Sequence, residues 1–258
     1  MALPLFTLLQ WTLAAVAALC IGLSKSGFPG VSMVSVVLMA GLMPARQSTG
    51  VILPLLICGD LMAVGAFRRH VRWPYVWRLL PATLAGVILG YFLLRLPLSE
   101  GFFKVLIGAV ILILVLIQAA RTYLPSFDRN IPASGSPALT ALIASATGVS
   151  CGITTMVANA AGPIMAIYLI AMRLPQYEFV GTAAVFFLLV NLIKVPFSVG
   201  LGLIGPRSLS LNLVLVPAVA AGILCGRTIL ARIPRRLFES LVLLLAALAA
   251  IKLIIDGL

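Results

Sequence analysis

Acidic residues and histidine are scarce in this chain, whose 258 residues include six Asp and Glu together and a single His. Charged residues make up 9% of the chain, compared with about 25% in soluble domains, and 62% of the residues are hydrophobic. This composition excludes a water-soluble fold. The lone histidine, His70, lies in a basic loop, and the sequence has neither paired intramembrane aspartates nor an HExxH motif. We therefore do not expect an enzyme.

The cysteines lack the spacing of metal sites and of disulfide frameworks. They lie singly in apolar segments, without a CxxC motif or a neighbouring histidine. They are Cys20, Cys58, Cys151 and Cys225. We interpret them as packing residues and predict no metal and no cofactor. A nucleotide-binding loop is also missing from the sequence, so we expect any energy input to come from an ion or substrate gradient.

What the sequence does contain is a series of long apolar segments, which are typical of membrane-spanning helices. They cover residues 5–24, 30–43, 48–66, 78–95, 101–120, 138–156, 160–172, 180–200, 210–230 and 236–256. We predict an all-α, polytopic integral membrane protein. Segments 30–43 and 160–172 are too short to cross upright, so each is expected to form a broken or re-entrant hairpin with the segment before it. The first segment lacks secretory-signal features, and we expect it to remain in the mature protein.

Two related halves flank one polar stretch near the middle of the chain. We predict an N-terminal transmembrane repeat at 1–121, an inter-repeat loop at 122–137 and a C-terminal transmembrane repeat at 138–258. Three residues of the first half recur in the second at identical internal spacing: Pro81, Gly86 and Gly90 match Pro217, Gly222 and Gly226. Each half has an odd number of crossings, which predicts inverted-topology repeats. The two GxxxG spacings indicate either internal helix packing or the face of a homodimer.

Basic residues concentrate in alternate loops, so we attribute the net charge of +12 to membrane topology and lipid headgroups rather than to nucleic acid. One side carries Arg68, Arg69, Arg72, Arg78, Arg121, Arg129, Arg173, Arg227, Arg232, Arg235 and Arg236. The other side carries Arg46, Arg95, Lys104, Arg207 and Lys252. The first side is predicted to be cytoplasmic, which places both termini in the periplasm of a bacterial inner membrane.

Two polar interruptions of the apolar segments are candidate substrate sites. The first contributes Ser24, Lys25, Ser26 and Gly27, and the second contributes Thr154, Thr155 and Asn159. Helix ends at such breaks expose backbone N–H groups that attract anions, so we predict that both breaks bind substrate near the midplane. Close packing of small residues is the alternative explanation.

Three further polar residues lie inside predicted spans. Asn191 and Lys194 share one helical face, and Asp60 occupies the repeat-related position of Asn191. Because ionisable groups at this depth are costly, we predict that Asn191 and Lys194 bind substrate and that Asp60 pairs with a lysine or carries a coupling proton. The alternative for Lys194 is that its flexible stem reaches the membrane interface.

Several short motifs resemble those of the TauE/SafE family of sulfite exporters and sulfonate permeases. They are the connectors "GLMPARQSTG" and "RLPQYEFVGT", the loop "FRRHVRW", the helix "VNLIKVPF" and the glycine-containing break after the first helix. The resemblance covers nearly the whole chain. It implies export or uptake of a sulfur-containing anion, such as sulfite or a small organosulfonate.

These observations together favour a secondary transporter that moves a small anion by alternating access between two inverted repeats. The expected partners are a sulfur oxyanion or sulfonate, membrane lipid and a second copy in a homodimer. Two alternatives stay open on the sequence: a metabolite exporter of another inverted-repeat family, and a membrane scaffold that transports nothing.

Overall fold

The computed structural model is helical, and no strand occurs in the part of the chain that it describes, namely residues 6–28, 31–43, 45–96 and 137–258 with isolated positions from 99 to 119. The predicted all-α fold is confirmed. The helices are α1 (Leu8–Lys25), α2 (Val31–Leu42), α3 (Ala45–Phe67), α4 (Trp73–Leu93), α5 (Pro137–Ala158), α6 (Gly162–Ala171), α7 (Gln176–Gly200), α8 (Pro206–Leu230) and α9 (Arg235–Ile255), with a 3₁₀ turn at Arg68–His70.

Six helices within the described residues are long and apolar enough to cross a membrane. They are α1, α3, α4, α5, α7 and α8. The protein is therefore a multi-pass membrane protein. Helices α2 and α6 have 12 and 10 residues, which gives lengths of about 18 and 15 Å against a hydrocarbon core of about 30 Å. Neither is long enough to cross alone. Most of the predicted segment 101–120 and nearly all of the loop 122–137 lie outside the described residues.

Prolines occur inside four of the long helices without ending them: Pro54 in α3, Pro81 in α4, Pro196 in α7 and Pro217 in α8. A proline removes one backbone donor from a helix, but neighbouring helices and local adjustment satisfy the freed carbonyl in membrane proteins. The proline positions that marked the repeat in the sequence therefore lie within continuous helices.

The chain forms two compact units, and each combines helices from both predicted repeats. Unit 1 comprises Met1–Arg72 and Pro175–Phe238, and unit 2 comprises Trp73–Leu174 and Glu239–Leu258. Unit 1 thus contains α1, α2, α3, α7 and α8, while unit 2 contains α4, α5, α6 and most of α9. This composition is compatible with inverted repeats, whose boundaries and opposite orientation stay predictions.

Glycines allow close helix contacts in both units. In unit 1, an alanine Cβ at Gly22 of α1 would lie 2.1 Å from the Val219 carbonyl oxygen of α8. In unit 2, a Cβ at Gly152 of α5 would lie 2.2 Å from the Thr83 carbonyl oxygen of α4. Such approach requires glycine, because any side chain would separate the two backbones.

The two GxxxG spacings lie in these contacts. Gly86 and Gly90 of α4 face α5 in unit 2, and Gly222 and Gly226 of α8 face α1 in unit 1. The sequence left open whether these glycines pack helices within one chain or form the face of a homodimer. In the structure they pack helices within one chain.

Helices α3 and α7 of unit 1 pack side by side in opposite directions. Gly181, near the start of α7, lies against the Phe67 carbonyl at the end of α3. At the other end, Gly50 of α3 lies against the Leu203 carbonyl that follows α7. The middle of α3 therefore faces the middle of α7, which is where Asp60 and Asn191 are located.

Polar contacts join two loops and the start of α7 at one end of unit 1. The Arg72 N–H donates to Thr182 Oγ1 at 2.9 Å, and the Arg72 guanidinium pairs with Glu178, with Nε 2.7 Å from Oε2. Gln176 Nε2 donates to the Ile233 carbonyl at 3.1 Å. The basic loop after α3, the start of α7 and the loop after α8 thus lie together, and all three belong to the side that the sequence predicts to be cytoplasmic.

Candidate functional site

Unit 1 buries a group of charged and amide side chains that we call the charged cluster, made of Lys25, Asp60, Asn191 and Lys194. Lys25 Nζ lies 2.7 Å from Asp60 Oδ1. Asn191 Nδ2 donates to Asp60 Oδ2 at 2.7 Å. Lys194 interacts electrostatically with both Lys25 and Asp60. The end of α1 and the middles of α3 and α7 therefore converge on one carboxylate.

The charged cluster is closed to its surroundings in this conformation. Asp60 is 0% exposed, Asn191 1% and Lys194 2%, and the Lys25 side chain is 9% exposed. Lys194 does not reach the surface, so the alternative that its stem extends to the membrane interface is wrong. Burying charges costs several kcal/mol per ion, by order of magnitude, unless partners compensate them. The Asp60 carboxylate supplies that compensation for Lys25.

An aromatic ring and a glycine complete the surroundings of Lys25. The ammonium nitrogen lies 4.9 Å from the centre of the Phe187 ring, within the range of cation–π attraction. An alanine Cβ at Gly59 would lie 3.2 Å from Lys25 Cγ, so the glycine leaves room for the lysine stem. Sequence reasoning missed both residues. Phe187 is one helical turn before Asn191, and extending the polar face of α7 backwards would have found it.

The Asn191 side-chain oxygen is a second polar feature of the cluster. It is buried, and it has no hydrogen-bond donor among the described residues. Leaving a buried acceptor unpaired costs about 1–3 kcal/mol. A polar ligand at this position would remove that cost.

Three of the four hydroxyl groups predicted to bind substrate donate to helix carbonyls in this conformation. Ser24 Oγ donates to the Ile21 carbonyl at 2.7 Å, and Thr154 Oγ1 donates to the Ser150 carbonyl at 2.7 Å. Ser26 Oγ lies 3.1 Å from the Ile223 carbonyl of α8, which ties the end of α1 to that helix. Binding of an anion by these hydroxyls would require them to rotate, and their role stays a prediction.

Both predicted breaks follow the end of a helix and use a left-handed backbone. After α1, Gly27 has φ of 116°, and after α5, Asn159 has φ of 52°. Glycine and asparagine are the residues that tolerate positive φ best. The short connection of Asn159, Ala160 and Ala161 into α6 is buried. The sequence signals of helix breakers and short apolar segments therefore located both interruptions correctly.

The break in unit 2 differs from that in unit 1 in its charge. Thr154, Thr155 and Asn159 lie in unit 2, so the structure assigns them to a different unit from Lys25, Asp60, Asn191 and Lys194. Among the described residues of unit 2, the buried polar side chains are Thr83, Thr154, Thr155 and Asn159, and none of them carries a charge.

Comparisons with known proteins identify the family of this chain. The model of one family, described as sulfite exporter TauE/SafE, matches residues 14–253. Searches of curated proteins and of solved structures gave no match. The family match covers nearly the whole chain, including all four residues of the charged cluster. The chain therefore belongs to the TauE/SafE sulfite exporter family of membrane transporters.

Proposed function

We propose that this protein is a secondary transporter of sulfite or a small organosulfonate, and that its substrate binds at the charged cluster. The observation that carries the proposal is the burial of two lysines with one aspartate inside membrane-spanning helices. Ionisable groups within spans are costly and usually mark substrate or ion pathways. Cationic side chains in a site of low dielectric attract anions strongly.

Binding would use groups that the cluster already brings together. Lys25 and Lys194 oppose the charge of the substrate. Asn191 contributes its unpaired amide oxygen to a hydroxyl or a bound water, which removes the cost of burying that acceptor. The hydroxyls of Ser24 and Ser26 and the N–H groups at the break around Gly27 are further donors to substrate oxygens, once the hydroxyls turn from their helix carbonyls.

Transport follows from opening this closed cluster to one side of the membrane at a time. Asp60, Asn191 and Lys194 are buried in the present conformation, and the Lys25 side chain is 9% exposed. In our proposal, access alternates as one inverted repeat moves against the other. The protein lies in a bacterial inner membrane with its main basic loops in the cytoplasm, in keeping with the distribution of arginines between loops.

The test is uptake of radiolabelled sulfite and of a small organosulfonate into proteoliposomes. We expect the native protein to transport at least one of these anions, and Lys194→Met to lower the initial rate by about 100-fold or more, since it removes a buried cation from the site. Lys252→Met is the matched control. Lys252 is a half-exposed lysine that pairs with Asp256, and its loss should leave the rate within about twofold, because exposed pairs contribute little.

The proposal fails if native vesicles move neither anion in either direction under imposed proton or sodium gradients. The proposed binding site is wrong if folded Lys194→Met protein transports as fast as Lys252→Met. Size-exclusion chromatography of each variant in detergent shows whether a lost rate reflects lost folding.

A further inference from the structure

Two buried polar side chains of unit 1, both outside the charged cluster, have no hydrogen-bond partner among the described residues. Asn212 of α8 is 4% exposed, and neither the nitrogen nor the oxygen of its amide is paired. Ser35 of α2 is fully buried, and its hydroxyl is also unpaired. The buried hydroxyls of Ser24 and Thr83, by contrast, donate to a carbonyl of their own helix. The side chains of Ser35 and Asn212 therefore leave their hydrogen-bonding groups unused.

Asn212 lies on the face of α8 that leads to the charged cluster. It precedes Val219 by seven residues, or two helical turns, so both side chains lie on one face about 10 Å apart along the helix axis. An alanine Cβ at Gly59 would lie 3.4 Å from Val219 Cγ1 and 3.2 Å from Lys25 Cγ. Val219 thus borders the space that the Lys25 stem occupies. The next residue after Asn212, Leu213, is 76% exposed, so Asn212 faces the interior of the unit.

Asn212 also lies between the charged cluster and one end of unit 1. We call this end the Leu203 end, because Gly50 of α3 packs there against the Leu203 carbonyl. Helix α8 begins three residues after Leu203, at Pro206. Asn212 follows in the second turn of the helix, and Val219, which borders the cluster, comes two turns later.

Ser35 lies between the same cluster and the same end, on another helix. Helix α2 begins after the break that follows Lys25, and it leads into α3, whose first turns reach the Leu203 end. Met39 of α2 belongs to the same buried apolar core as Leu215 of α8, so α2 shares a core with the stretch of α8 that carries Asn212. Two helices therefore each place one unpaired polar side chain between the cluster and the Leu203 end.

We propose that Asn212 and Ser35 line the route by which the substrate passes between the charged cluster and the Leu203 end, and that both bind its oxygen atoms in transit. This inference rests on the proposed function and adds two residues to its site. The amide N–H groups of Asn212 and the hydroxyl of Ser35 are donors that suit an oxyanion. Unpaired polar groups buried in a membrane protein are costly and commonly mark a substrate pathway. Opening of the Leu203 end exposes these donors to the anion.

The first test separates this role from a structural one. Asn212→Leu keeps the approximate size of the side chain and removes the unpaired amide. We expect its melting temperature in detergent to rise by about 2–4 °C, because burying an unpaired amide is unfavourable. The initial rate of methanesulfonate uptake into proteoliposomes should nevertheless fall about tenfold, because the passing anion loses a donor. A side chain that serves only packing would not combine a gain in stability with a loss of transport.

The second test asks whether a water-soluble anion reaches these positions. Asn212→Cys and Ser35→Cys are treated in detergent with 2-sulfonatoethyl methanethiosulfonate, an anionic thiol reagent, and the native protein gives the background of its own four cysteines. Leu213→Cys is the matched control, because its side chain is exposed on the outer surface of α8, which detergent covers. We expect Asn212→Cys to react about tenfold faster than the control, since a thiol in apolar surroundings ionises poorly. An excess of methanesulfonate should slow the reaction.

The inference is wrong if folded Asn212→Leu takes up methanesulfonate at the native rate, or if neither cysteine variant reacts faster than Leu213→Cys. It is also wrong if Asn212→Leu lowers both the melting temperature and the uptake, since Asn212 would then be structural. Either result leaves the proposed function standing when native vesicles transport. If Asn212→Cys does not fold, Ser35→Cys decides.

The proposed function fails separately. If native vesicles move neither sulfite nor methanesulfonate, but methanesulfonate protects Asn212→Cys from the reagent, the transport proposal falls while the anion route stands. If native vesicles move neither anion and methanesulfonate gives no protection to either cysteine variant, both are wrong.

Discussion

Units 1 and 2 use the same kind of helix contact but bury different polar groups. In unit 1, Gly22 of α1 packs against the Val219 backbone, and in unit 2, Gly152 of α5 packs against the Thr83 backbone at nearly the same separation. Each of these helices then ends at a break with positive φ. Unit 1 also buries a cluster with three charged side chains, one of which is Lys25 at the end of α1, whereas the described buried polar residues of unit 2 are all neutral.

This difference separates the residues that close helix packing requires from those that it does not require. Close backbone approach needs glycine in both units, because a Cβ at either position would overlap a carbonyl oxygen. Charge is not needed for that packing, since unit 2 packs without it. Close helix packing therefore does not explain the charges of unit 1, and substitutions of the glycines and of the polar residues in both units test the two features separately.

The largest effect on stability should come from removing the buried carboxylate of unit 1. Asp60→Asn removes the carboxylate that pairs with the buried Lys25, and we expect a loss of about 3–5 kcal/mol, the range for breaking a buried ion pair. Thr154→Val in unit 2 removes a hydroxyl whose bond is to its own helix, and it should cost about 1 kcal/mol or less. Thermal denaturation in detergent, followed by tryptophan fluorescence, measures both.

Sodium chloride supplies a control for this experiment. Salt screens exposed charges but acts weakly on buried ones, so the gap between the two variants should persist at high ionic strength. Equal melting temperatures for the two variants would show that the carboxylate is not needed to stabilise the lysines.

A smaller effect, and one that should be equal in the two units, is expected at the helix contacts. Gly22→Ala and Gly152→Ala each place a Cβ within about 2 Å of a carbonyl oxygen, and overpacking of this kind costs about 1–3 kcal/mol. Gly65→Ala in α3 is the matched control, because its Cβ would meet nothing within 4 Å. The control should be neutral or slightly stabilising, since alanine favours helix over glycine.

Melting temperatures of the three glycine variants show whether the contacts are equivalent. A large loss for Gly22→Ala with none for Gly152→Ala would mean that α4 and α5 can move apart where α1 and α8 cannot. That outcome would contradict the equivalence of the two contacts.

Local sequence signals predicted most of the fold. Apolar length predicted the long helices, and the same signal marked α2 and α6 as too short to cross. Glycine spacing predicted close packing at Gly86 and Gly222, but it left open whether the partner was another helix of the same chain or a second copy. A GxxxG spacing gives the shape of a helix face and not its partner, so only the structure could identify α5 and α1 as the partners.

The sequence identified the charged residues of the candidate site but not which of them lie in contact. Lys25, Asp60 and Lys194 were identified because charges inside spans are costly. The sequence offered no way to decide which lysine Asp60 contacts, since they lie on different helices. It also grouped Thr154 and Asn159 with these charges, whereas the structure places those two residues in unit 2.

The smallest effect is expected at the backbone of the break in unit 2. Asn159 has φ of 52°, a region that costs an ordinary L-residue about 1–2 kcal/mol. Asn159→Ala should therefore lower stability by about 1 kcal/mol, and Asn159→Gly should lower it less, because glycine adopts this φ without steric strain. If the break serves only as a backbone turn, Asn159→Gly will transport sulfite at the native rate. If both variants lose transport while only Asn159→Ala loses stability, the amide side chain takes part in transport itself, and the neutral break of unit 2 does more than turn the backbone.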